Sequence, residues 1–188
     1  MKNILIVLGV LVVIGLMFFG WYKNGYNQAI ALDEQVKSSW AQVENQLQRR
    51  FDLIPNLVNT VKGYAQHEDK IFTEVARLRS QWTQATSVAQ KVETANEMTS
   101  VLSRLIAVSE NYPQLKANEN FLTLQSQLEG TENRIAVERM RYNQVVQSLN
   151  AFQRSFFGRF FASQAGVTQP AVYFKSDERA KQVPQVTF

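Results

Sequence analysis

Residues 26–82 read YNQAIALDEQVKSSWAQVENQLQRRFDLIPNLVNTVKGYAQHEDKIFTEVARLRSQW, and one apolar stripe runs the length of this stretch. Its members are Tyr26, Ile30, Val36, Trp40, Val43, Leu47, Phe51, Ile54, Val58, Val61, Tyr64, Ile71 or Phe72, Val75, Leu78 and Trp82, with polar Asp33 and Glu68 filling two steps. Every step is three or four residues, the spacing that keeps side chains on one face of an α-helix. The stretch is therefore one very long amphipathic helix or two consecutive ones. A helix of about 60 residues extends roughly 90 Å and cannot bury its stripe alone, so its partners must be other helices of the chain. The expected fold class is all-α: a long antiparallel bundle of three or four helices behind a transmembrane helix.

Pro55 is the one interruption inside the stripe. It has no N–H to give Phe51 and its ring crowds that carbonyl, so the helix kinks or breaks there. The stripe resumes in register beyond it, which favours a kink.

Upstream lies the second decisive stretch. Ile4 to Tyr22 is an unbroken run of 19 apolar residues and glycines, with Lys2 before it and Lys23 after it. At 1.5 Å per residue it spans roughly 28 Å, close to the hydrocarbon thickness of a bilayer. Phe18, Phe19, Trp21 and Tyr22 crowd its end, where a cleaved signal peptide needs small residues and an anchor carries an interfacial aromatic belt. Residues 1–23 are read as an uncleaved anchor. One lysine flanks each side, and the short basic N-terminus leans towards an inside tail, so the remaining domain is expected on the extracytoplasmic side.

Downstream of the stripe the helices shorten. Ala85-Thr86-Ser87 reads as a turn, and a helix follows with Val92, Ala95, Val101 or Leu102, Leu105 and Val108 on one face. It ends before Pro113. Asn118 N-caps a last long helix carrying Phe121, Leu124, Leu128, Thr131, Ile135, Tyr142, Val145 or Val146, Leu149, Phe152 and Phe156. The bundle is expected over 24–162 and an extended or disordered tail over 163–188, where Gly166, Pro170 and Pro184 fall.

The residues offer little chemistry. Of 188 residues none is cysteine and one, His67, is histidine, so no disulfide, thiolate nucleophile, histidine dyad or histidine metal site can be built within one subunit. His67-Glu68 opens like a zinc-protease motif, but position 71 is Ile and the second ligand is missing. His67 reads as a solvent-facing helix residue. No glycine-rich phosphate loop is present. No catalytic residue, cofactor or metal ligand is assigned, and an enzyme is not expected. The net charge of +4 is uneven: residues 134–181 carry eight Lys/Arg against three Asp/Glu. These cations sit beside phenylalanines on a tethered chain, which favours an anionic lipid surface over nucleic acid.

Several stretches together resemble the LemA family. They are Asp33-Glu34-x-Val36, Trp40-x-x-Val43-Glu44-x-Gln46-Leu47-x-Arg49-Arg50-x-Asp52-Leu53-Ile54-Pro55-Asn56-Leu57-Val58, and Val61-Lys62-Gly63-Tyr64-Ala65. The segments Glu110-Asn111-Tyr112-Pro113-x-Leu115-Lys116-Ala117-Asn118, Thr131-Glu132-Asn133-Arg134-Ile135 and Tyr142-Asn143 complete the set. The resemblance covers about residues 1–175. It implies a bacterial inner-membrane protein with one anchor and an antiparallel helical bundle, not an enzyme, and with roles in membrane organisation or remodelling or in association with membrane quality-control proteases. This chain departs from the family pattern at Phe156-Phe157, where Phe-Pro is expected, and that leaves open how the last helix ends.

From these readings come the expected function and sites. The chain is expected to be a membrane-anchored scaffold that self-associates and organises the bilayer, or an adaptor for a membrane protease or other envelope protein. If the last helix runs antiparallel to the first, Glu132 lies level with Arg49 and Arg50, and Arg134 with Glu44; these are expected as cross-helix ion pairs. The same fold returns the chain to the bilayer at Phe152, Arg154, Phe156, Phe157, Arg159, Phe160 and Phe161. That cluster is expected to be a second lipid contact.

Overall fold

A computed structural model describes residues 2–65 and 67–175. Among the described residues the fold is all-α, with six helices in the order α1 (Lys2–Lys62), α2 (Asp69–Gln84), α3 (Val88–Val108), α4 (Pro113–Lys116), α5 (Glu119–Arg154) and α6 (Phe156–Gln164). The described residues divide into two compact units, one within 2–40 and 141–171, the other within 41–140 and 172–175.

In the second unit, four helical segments alternate in direction. Along α1 and α2, Phe51 stacks on Trp82 at 4.6 Å while Lys62 lies 5.0 Å over Phe72, so residues rising in one helix meet residues falling in the other. Against α3 the order is parallel, since Glu44 pairs with Lys91 and Arg50 with Ala95 and Thr99. Against α5 it is antiparallel again: Arg50 meets Glu132 and Tyr64 meets Asn118, an equal step along both helices. The core between them holds Val43, Leu47, Phe51, Ile54, Leu57, Val61, Leu78, Met98, Leu105, Phe121, Leu128 and Ile135, all buried.

The break in the long stripe falls at Gly63–Glu68 and not at Pro55, which lies inside α1. One proline costs a helix about 3 kcal/mol, and burying each of Phe51, Ile54, Leu57 and Val61 offsets this by about 1.5–3 kcal/mol. Beyond Pro55 the buried residue is Leu57, with Val58 half-buried beside it. His67 therefore sits exposed in the α1–α2 connection rather than on a helix.

The other helix ends follow local capping. Ser87 and Gln90 form a reciprocal capping box at the start of α3. Asn118 Oδ1 accepts from the Phe121 amide at 3.0 Å and starts α5. The chain then differs from the expected single last helix, because α5 stops at Arg154 and Ser155 begins a new one, α6.

In the first unit, α1 carries the apolar run, and among the described residues this is the helix long and apolar enough to cross a membrane; its apolar window is wholly exposed. Trp40 packs edge-on against Tyr142 at 5.4 Å. After α6 the chain turns at Gly166, whose φ of 76° is the left-handed conformation that closes a helix, with the Val167 amide donating to Ala162 O at 2.8 Å. The extended residues that follow are held by side-chain amides: Asn150 bonds both backbone groups of Ala171, and Gln153 donates to Val167 O and Gln169 O. In the second unit Phe174 is buried beneath the Arg139 guanidinium and Asn96 donates to Lys175 O. The rest of the expected tail, 176–188, lies outside the described residues.

Candidate functional site

Two constellations stand out, one in each unit. In the first unit α6 begins at Ser155, whose extended backbone turns the chain and whose Oγ accepts from the Gly158 amide at 3.1 Å. The turn is tight. A Cβ at Gly158 would lie 2.0 Å from Phe152 O and 2.3 Å from Ser155 Oγ, so only glycine fits where the end of α5 crosses the start of α6.

This turn lays one face of α6 on α1. Gly158, Phe161 and Ala162 are buried, and the Phe161 ring fills the space that a side chain at Gly25 of α1 would need, its Cε2 lying 2.3 Å from where that Cβ would stand. Trp21 meets Phe157 at 5.2 Å and Phe161 at 4.9 Å, both edge-on, and Tyr22 meets Phe160 at 6.4 Å and Phe161 at 5.9 Å. Such edge contacts align ring hydrogens with the electron-rich faces of neighbouring rings. The outer face of α6 stays bare: Phe156 is 88% exposed, with Phe157 and Phe160 also exposed. Arg154 and Arg159 are exposed beside them, and Phe152 is half-buried.

The charges of this unit are one-sided. It holds six Lys/Arg and two Asp/Glu, a difference equal to the whole +4 net charge of the chain. Both acids, Asp33 and Glu34, bond to Lys37, at 2.7 and 2.8 Å. Those hydrogen bonds, Asp33 first, raise the Lys37 pKa.

In the second unit the site is Arg50. Its side chain is 1% exposed, and Nη1 donates to Glu132 Oε1 at 2.5 Å and Thr99 Oγ1 at 2.8 Å, while Nη2 donates to Ala95 O at 2.8 Å. Nε has no partner among the described residues. A buried cation on α1 bonded to both α3 and α5 fixes the register of the three helices more than it stabilises them, because its desolvation offsets much of the attraction. Of the other expected pairing residues, Arg49 is exposed and is not the partner of Glu132. Glu44 pairs with Lys91 of α3 instead of Arg134. Arg134 points to solvent, with no ion pair among the described residues.

Trp21, Tyr22, Gly25, Lys91, Ala95 and Thr99 were not among the expected site residues. Gly25 carried a signal, a glycine inside an otherwise helical pattern, which often marks a close approach. Among the described residues no group of three or more His, Cys, Asp or Glu could hold a metal ion.

A family model described as the LemA family matches residues 39–188. The protein LemA of Metamycoplasma hominis is 20% identical over 165 residues, a span covering 87% of this chain and 75% of that relative.

Proposed function

The chain belongs to the LemA family, and on that premise we propose that it is a membrane-anchored, non-enzymatic structural protein that self-associates and organises the bacterial inner membrane holding it. The observation that carries this reading is α1. A lipid-compatible run of apolar residues is the first third of one unbroken helix, Lys2–Lys62, whose later residues form a bundle core. Such a helix ties a folded body to a bilayer without a flexible linker.

Self-association is supported by apolar side chains left uncovered on α5. Leu122, Val137 and Met140 are exposed, and Leu122 and Met140 are five helical turns apart on one face. Catalysis has no support in a chain with one histidine and no cysteine, whose carboxylates are spread along helix faces.

Cross-linking the full chain in native membranes, followed by mass measurement of particles extracted in membrane-preserving polymer, tests this reading. Discrete multimers at native expression levels are expected. A monodisperse monomer would overturn self-association, and a monomer recovered in fixed ratio with a membrane protease would make the chain an adaptor.

A further inference from the structure

Phe156 is more exposed than any large apolar side chain in the run Ile4–Tyr22, whose own exposures reach 72% at Met17. A phenylalanine bared to that extent beside two more, Phe157 and Phe160, is not a closed end of a helical core. We propose that α6 is a second membrane contact: Phe156, Phe157 and Phe160 enter the headgroup boundary of the leaflet from which α1 emerges, and Arg154 and Arg159 meet its lipid phosphates. This rests on reading α1 as an anchor.

Three observations choose an anionic bilayer as the occupant. The first is level. Phe157, Phe160 and Phe161 touch Trp21 and Tyr22, the two residues that close the apolar run, so α6 lies where a spanning helix leaves hydrocarbon. The second is that α6 is apolar on two sides. Gly158, Phe161 and Ala162 are buried in the protein, while Phe156 and the outer parts of Phe157 and Phe160, which otherwise rest on Trp21 and Tyr22, are left to a different medium. The third is charge. No acidic residue occurs in 1–32 or in 140–176, whereas Lys23, Arg154 and Arg159 do, and among the described residues none of these three cations forms an ion pair. Aromatic rings flanked by arginines bury apolar area at the boundary while guanidinium groups bond phosphate oxygens.

The chain contains no cysteine, so Phe156→Cys, Phe160→Cys and Leu11→Cys each provide a single attachment point for an environment-sensitive fluorophore. The labelled full chains are reconstituted in vesicles of phosphatidylcholine and phosphatidylglycerol containing doxyl lipids with the quencher set shallow or deep. Labels at 156 and 160 are expected to shift to the blue and lose emission to the shallow quencher, and a label at 11 to the deep one. Quenching at 11 without quenching at 156 and 160 overturns the proposal while leaving the anchor in place. Absence of quenching at all three removes the anchor, and the proposal with it. A blue-shifted label at 156 that no lipid quenches lies against protein, a second copy of the chain included, and overturns the proposal as well. Arg154→Gln combined with Arg159→Gln is expected to weaken quenching at 156, and unchanged quenching would remove the arginines from the contact.

Discussion

Arg50 and Glu132 lie 82 residues apart in the chain, yet the Arg50 guanidinium meets the Glu132 carboxylate at 2.5 Å, the cation 1% and the anion 41% exposed. The asymmetry sets the expected outcome of removing each partner. Glu132→Ala strands a buried charge that retains Thr99 and Ala95, and should cost about 2 kcal/mol, less than the 3–5 kcal/mol typical of a fully buried pair. Arg50→Met removes the charge together with its desolvation penalty. The double variant should therefore be more stable than Glu132→Ala alone, with a coupling of about 1–3 kcal/mol. Chemical denaturation followed by circular dichroism in detergent measures the cycle; additive single effects would disprove the pairing.

Gly25 is the floor on which Phe161 sits. Gly25→Ala raises helix propensity by about 1 kcal/mol, but its Cβ would stand 2.3 Å from a ring that is 3% exposed and has little room to swing. Overlap should win, and α6 should loosen from α1 by about 1–3 kcal/mol. Amide exchange in 156–164 is expected to quicken by about tenfold or more, since 1.4 kcal/mol is a factor of ten, with 41–140 unchanged. Unaltered exchange in α6 would show that the ring yields.

Gly158 and Ser155 build the turn between α5 and α6. Ser155→Ala removes the cap and should cost α6 about 1 kcal/mol. Gly158→Ala should cost more, because its Cβ would meet Phe152 O at 2.0 Å, and a backbone carbonyl has nowhere to go. The two variants are ranked by the loss of α6 exchange protection, and equal losses would mean that the crossing is looser than the geometry requires.

Tyr142 gives the fold a dependence on alkaline pH. Burial pushes its hydroxyl up from the ordinary value near 10 to about 12, so above pH 10 the unfolded chain releases a proton that the folded chain keeps. Stability is full below about pH 10 and falls as pH rises towards 12, by at most about 1.4 kcal/mol per pH unit from this residue. Tyr142→Phe should remove that portion of the slope. The comparison is the difference between parent and variant in denaturation midpoints at pH 9, 10 and 11, and parallel curves would refute it.

Much was legible before any tertiary structure. Val43, Leu47, Phe51, Ile54, Val61, Val75, Leu78 and Trp82 announce the core by spacing alone, because a helix face repeats every three to four residues whatever it packs against. Ile4–Tyr22 announces a candidate span by length, and Asn118 caps α5 because its side chain reaches an amide three residues on. These properties are local, set by the chain's own geometry.

Tertiary structure decided where the helices stop and what each polar group meets. Pro55 carries the strongest local signal for a break, yet α1 runs through it, since buried neighbours on both sides outweigh one missing hydrogen bond; the break falls between Lys62 and Asp69. Periodicity placed Phe156 and Phe161 in one apolar cluster, but the turn at Ser155 and the space above Gly25 send Phe161 inward and Phe156 out. Register along an antiparallel pair placed Glu132 beside Arg50, but not Glu44 beside Lys91 of a third helix. A helical repeat specifies height and face; which neighbour stands opposite that face depends on how all the helices pack.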